Sequence, residues 1–95
     1  MIKGITEKEE KFIKNILAKY PYEFFAYGSR VKGDFTMASD LDVLLVSDAE
    51  VLQSDIEKLE TEFNESLIPY RVNIRQRSKM DDYFYELIEK DLVKI

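Results

Sequence analysis

Asp40 and Asp42 stand two apart at the head of an apolar run that includes Leu41, Val43, Leu44, Leu45 and Val46. On a strand, residues two apart project from the same face with their Cα atoms about 6.6–6.8 Å apart, so the two carboxylates converge. Such a pair repels at neutral pH unless a cation or a basic side chain compensates it. A shared divalent cation with oxygen ligands is one solution; a turn capped by one aspartate, or an ion pair with arginine, is the other. Upstream, Gly28 and Gly33 flank Ser29-Arg30-Val31-Lys32. A glycine turn leaving a strand for a helix can cradle phosphate on backbone N–H groups, and it can equally be a strand-ending turn with Ser29 as helix cap. Arg30 and Lys32 read either as phosphate contacts or as solvated loop charges. Gly-x-Gly-x-x-Gly is absent, and the Gly-x-x-x-x-Gly spacing continues with Asp34 and Phe35 instead of the Lys and Ser or Thr of a Walker loop.

Two absences narrow the chemistry further. The 95 residues contain no Cys and no His, which removes disulfides, zinc fingers, thiol nucleophiles and imidazole-based triads. Any metal would need oxygen ligands, as suits Mg²⁺, Mn²⁺ or Ca²⁺. Nineteen acidic against 14 basic residues give a net charge of −5, which argues against general wrapping of a nucleic-acid backbone. No apolar run approaches the roughly 20 residues that span a bilayer. A soluble, cytoplasmic protein with one domain over residues 1–95 is the expectation.

The elements that position these residues follow from periodicity. Thr6 and Glu9 form a capping box ahead of Phe12, Ile13, Ile16, Leu17 and Tyr20, predicting a helix over 6–20 that Pro21 stops. Residues 23–27 read as a buried strand and 41–46 as a second, with a loop or one-turn helix between. Ser47 and Glu50 read as the opening of a helix through Leu52, Ile56, Leu59 and Phe63, ending before Pro69. Tyr70 to Gln76 alternates, with Val72 and Ile74 on one face and Arg71, Asn73 and Arg75 on the other. Ser78 is placed to cap a last helix through Met80, Tyr83, Phe84, Leu87 and Ile88. Three successive aromatics, Tyr83, Phe84 and Tyr85, cannot all be buried by one helix face, so at least one is exposed or sits at an interface.

Phe25-Ala26-Tyr27-Gly28-Ser29-Arg30-Val31-Lys32-Gly33 followed by Ser39-Asp40-Leu41-Asp42-Val43-Leu44-Leu45-Val46 resembles the nucleotidyltransferase superfamily that includes DNA polymerase β, above all its minimal stand-alone members. The resemblance implies a small α/β fold, a mixed sheet of about three to four strands with helices mainly on one face. It implies that Gly28 and Ser29 hold the triphosphate of ATP or another NTP with Arg30 nearby, and that Asp40 and Asp42 bind Mg²⁺. The activity implied is transfer of a nucleoside monophosphate to an acceptor hydroxyl. Minimal members are often paired with a small helical HEPN-type toxin that they modify as antitoxins, so such a partner is expected, and a homo-oligomer is possible. Catalytic members carry a third carboxylate on the next strand; the matching position here is Asn73, an amide with no charge and no basic site. That departure opens an alternative, a binding module that keeps the fold and regulates its partner by contact.

Overall fold

The computed structural model describes residues 2–95. Helix α1 spans Glu7–Leu17, and its cap is the one expected: the Thr6 hydroxyl accepts from Glu9 N while the Glu9 carboxylate accepts from Thr6 N. The helix closes at Ala18, three residues short of Pro21, because the amides of Lys19 and Tyr20 turn back to the carbonyls of Ile16 and Leu17. Strand β1 is Glu23–Tyr27, the one-turn helix α2 is Ser29–Lys32, and β2 is Leu41–Val46.

The next helix, α3, covers Gln53–Asn64 and starts later than Ser47 and Glu50 predict. The Ser47 hydroxyl closes a local turn on Ala49, accepting from its N–H and donating to its carbonyl. The helix entrance is organised instead by Tyr22, whose hydroxyl accepts from Leu52 N and donates to Asp55. Strand β3 is Val72–Gln76, two residues shorter than expected but in the expected parity. A 3₁₀ turn over Arg77–Lys79 holds Ser78, so Ser78 caps nothing; helix α4, Asp82–Ile88, is capped by Asp81, which accepts from Tyr83 N at 2.7 Å. A second 3₁₀ turn, Glu89–Asp91, leads to a two-residue strand β4, Val93–Lys94.

The four strands lie in the order β3-β2-β1-β4. β1 runs antiparallel to both β2 and β4, and β2 runs parallel to β3. One face of the sheet, with Phe24, Ala26, Leu41, Val43, Leu45 and Val72, packs on Ile13, Ile16 and Leu17 of α1 and Ile56, Leu59 and Phe63 of α3. The intervening strand residues point to the other face. There α4 lies across the sheet, with Phe84 edge-on to Tyr27 at 6.3 Å between ring centroids. Two helices thus cover the core face, and the opposite face, which carries Asp42 and Asn73, is left with one short helix. Among the described residues no helix is long and apolar enough to cross a membrane.

Candidate active site

Strand pairing assembles the polar residues. The antiparallel register sets Tyr27 opposite Asp42, and the parallel register sets Asp42 beside Asn73. Asp40 precedes β2 by one residue on the same side. The Asn73 amide donates to Asp40 Oδ2 at 2.9 Å and reaches Asp42 Oδ1 at 3.4 Å. Two carboxylates and an amide therefore converge, as the two-residue spacing and the alternation of β3 require. Among the described residues no three Asp, Glu, His or Cys side chains cluster to hold an ion, which fits an amide in the third place.

Gly28 closes the arrangement from the β1 side. Its φ of 86° lies in the left-handed region, and a Cβ there would stand 2.5 Å from Asp42 Oδ2. Glycine is thus required twice, by backbone conformation and by the approach of the carboxylate. Its carbonyl accepts from Val31 N and Lys32 N, so the chain turns directly into α2 with Ser29 as first helical residue. Gly33, at φ 98°, ends that helix by donating to Ser29 O.

Burial pushes the Asp42 carboxyl up from its ordinary value; the Asn73 hydrogen bond opposes this, the Asp40 charge adds to it, and Arg75 draws it down. The Tyr27 phenol is likewise raised by burial first and by the Asp42 charge second. Tyr27 is 3% exposed, and its hydroxyl has no hydrogen-bond partner among the described residues. Arg75 stands over the Phe84 ring at 5.6 Å.

Arg30 is placed differently from the phosphate contact that the resemblance implies, and differently from a solvated loop charge. It is 4% exposed, and its guanidinium points inward. Nε donates to Ser39 O at 2.7 Å, Nη1 to Gly4 O, and Nη2 to Met37 O at 3.0 Å and Thr36 O at 3.4 Å, with the Tyr70 ring 3.9 Å below. Its donors are occupied by carbonyls, leaving it unsuited to grip phosphate. Arg71 lies one residue ahead of β3, where its carbonyl accepts from Leu41 N. With Asn73 and Arg75 it lines a polar groove of about 490 Å³ that Glu60 and Asn64 of α3 wall off. A larger apolar groove, about 570 Å³ between Phe12 and Leu67, contains none of the site residues. The inward Arg30 and the orphaned Tyr27 hydroxyl escape sequence reasoning, since both depend on segments brought together only by folding.

The molecule is therefore a small mixed-sheet α/β protein with an acidic pair beside a glycine turn, and comparison with known proteins gives that class its name. The nucleotidyltransferase domain family matches residues 9–95. The chain belongs to this family and is a nucleotidyltransferase. It is 33% identical over 93 residues, covering 96% of this chain and 82% of the relative, to "Probable protein adenylyltransferase MntA" of Haemophilus influenzae. It is 32% identical over 97 residues, covering 99% of this chain and 94% of the relative, to a Methanocaldococcus jannaschii protein named "Putative protein adenylyltransferase MJ1379". Its fold matches the crystal structure of "a putative nucleotidyltransferase" from Sulfolobus solfataricus at a TM-score of 0.50 and 20% identity, over 90% of this chain and 74% of that one.

Proposed function

We propose that this protein moves a nucleoside monophosphate from ATP or another NTP to a hydroxyl on a partner protein, with Mg²⁺ held by Asp40 and Asp42. The observation that carries this reading is the closeness of the glycine turn to the acidic pair, with Gly28 so placed that a Cβ there would stand 2.5 Å from Asp42 Oδ2. A phosphate chain lying along Gly28 and Ser29 would meet the carboxylates without further rearrangement. The donor set fits a hard divalent cation, since both carboxylates face one point and the burial cost at Asp42 falls when positive charge arrives. The cation, when bound, would neutralise phosphate charge and polarise the reacting phosphorus. Asp40 and Asp42 fix where it sits, Gly28 and Ser29 orient the triphosphate, and Asn73 donates to both carboxylates without accepting a proton. On this reading Arg30 shapes the loop and does not touch nucleotide.

The names of the two relatives, both protein adenylyltransferases, support a protein acceptor and ATP as donor. Acceptor selection is assigned to the partner, and a helical HEPN-type toxin modified in the cytoplasm by its antitoxin is the pairing we put forward. A second reading has one observation in its favour. The Asn73 amide already occupies both carboxylates, an arrangement that a contact-only regulator could keep without metal. Incubation with labelled ATP, Mg²⁺ and the candidate partner decides between them: Mg²⁺-dependent label on the partner, lost in Asp42→Asn, supports transfer. A stable complex without label, undiminished by EDTA, overturns it in favour of regulation by contact.

A further inference from the structure

Arg30 is buried beside the site, yet its guanidinium is compensated by peptide carbonyls and an aromatic ring. Burying a guanidinium is costly unless its donors are satisfied, so a charge kept in such a place must organise the carbonyls around it. Those carbonyls belong to two segments more than 30 residues apart in sequence. Ser39 O is the peptide oxygen immediately before Asp40, and Met37 O and Thr36 O lie in the turn that leads to it. Gly4 O lies in the segment ahead of α1, and the clasp is mutual, because Gly4 N donates back to Arg30 O at 2.8 Å. The Tyr70 ring under the guanidinium leads into β3 and hence to Asn73, and the Tyr70 hydroxyl is anchored on Glu9 at 3.0 Å.

We infer that Arg30 is a positioning residue that, clasped to Gly4, sets the Asp40 carboxylate against Asn73 and couples the glycine turn to the acidic pair. From α2, directly after Gly28 and Ser29, this one side chain reaches the loop ahead of Asp40 and the lead into β3. Arg30 follows Ser29 directly, so a shift of the guanidinium moves turn and loop together. The Gly4 end is built for close approach: a Cβ there would stand 2.6 Å from Arg30 Cβ and 2.8 Å from its Cα. The catalytic consequence rests on the transfer reading above; the geometric claim does not.

The test therefore begins without metal or nucleotide. Arg30→Lys keeps the charge but cannot present a planar fork to three segments. Gly4→Ala introduces the clash while leaving every polar group in place. Ile13→Val, in the core beneath α1, serves as a comparison that lowers stability away from the loop. By nuclear magnetic resonance, Arg30→Lys and Gly4→Ala should move the Asn73 side-chain amide signals and raise amide exchange at residues 36–41 at least tenfold, with the α3 amides unchanged. Ile13→Val should alter neither. In titrations, the Mg²⁺ concentration giving half-maximal nucleotide binding should rise severalfold in the same two variants. If both variants lower the melting temperature while the Asn73 signals and the 36–41 amides behave as in Ile13→Val, the positioning role is overturned and Arg30 is only a structural residue. If neither folds, the same conclusion holds. Unlabelled partner despite the expected loop response would count against the transfer reading and leave the positioning role standing.

Discussion

An amide between two carboxylates is an electrostatic compromise, and replacing it tests the site directly. Asn73→Asp exchanges a donor to Asp40 and Asp42 for a third negative charge at the same place. Without divalent cation the variant should be less stable than the parent, because the Asn73 hydrogen bond does more than Arg75 to hold the Asp42 carboxyl down against burial and the Asp40 charge. With Mg²⁺ its melting temperature should rise by more than the parent's does, and transfer to the partner should increase by on the order of 10²–10⁴-fold if the new carboxylate accepts the hydroxyl's proton. Thermal melts with and without Mg²⁺, beside a label-transfer assay, check both halves. Tyr27 offers an opposite case. Its hydroxyl is buried without a partner among the described residues, so Tyr27→Phe should stabilise the protein by about 1 kcal/mol in chemical denaturation; a loss of stability would mean that the hydroxyl has a partner in solution. The acidic pair and the Asn73 register were legible in the sequence because both follow from the two-residue period of a strand. Arg30 was not, since its burial is decided by carbonyls from residues 4, 36, 37 and 39 that no local pattern brings together.

At the level of elements, what could be foreseen was what is locally encoded. The Thr6–Glu9 box lies within one turn and formed as expected. Ser47 and Glu50 carry the same signature, but the α3 entrance is taken over by Tyr22 from 30 residues away, and a two-residue β4 has no periodicity to detect. Helix α4 is held by its cap, by Phe84 against Tyr27 and Arg75, and by Arg77, which pairs with Asp82 at 3.0 Å and lies 3.9 Å over the Tyr85 ring, and it buries no residue fully. Asp81→Ala should therefore cost about 1 kcal/mol and be felt locally, as faster amide exchange across 82–88 ahead of any change in α3. The link between α1 and α3 behaves differently with pH. Glu62 accepts from Lys19 Nζ at 2.8 Å and from the Tyr20 hydroxyl at 2.9 Å. The Lys19 hydrogen bond first, and the Tyr20 one second, hold its carboxyl below the ordinary 4.5. Burial and this same bond push the Tyr20 phenol up to about 12. A carboxylate lowered by folding adds stability that is complete above its unfolded value and disappears as pH falls through the folded one. Glu62→Gln should thus flatten the acid limb of the stability curve below about pH 5; an unaltered limb would show that the pair is too exposed to matter. For Tyr20 the sign is reversed: its share is present at neutral pH and is lost as pH rises through about 12.

Across the whole molecule, the two long helices and the apolar sheet face form a continuous core, and the charged site lies on the face that α4 covers only in part. Tyr83 is 72% exposed and Leu87 54%, one turn apart on α4, so the exposed aromatic expected from the Tyr83–Tyr85 run is Tyr83. The sheet order has a further consequence. Both outer strands, β3 and β4, come from the part of the chain after α3, and they flank a central pair, β1 and β2, that comes before it. The later segment therefore grips the earlier one like the two jaws of a clip, with Leu67 fully exposed in the strap between. Proteolytic nicking beside Leu67 would leave Gly28, Asp40 and Asp42 on one piece and Asn73 on the other. The pieces should stay together through two strand edges and co-elute until denaturant is added, and, expressed separately, they should rebuild the site on mixing. Pieces that part at once would show that the strap, and not the clip, joins the halves. A cut at this one loop would thus give two unequal pieces, neither of which holds the complete site.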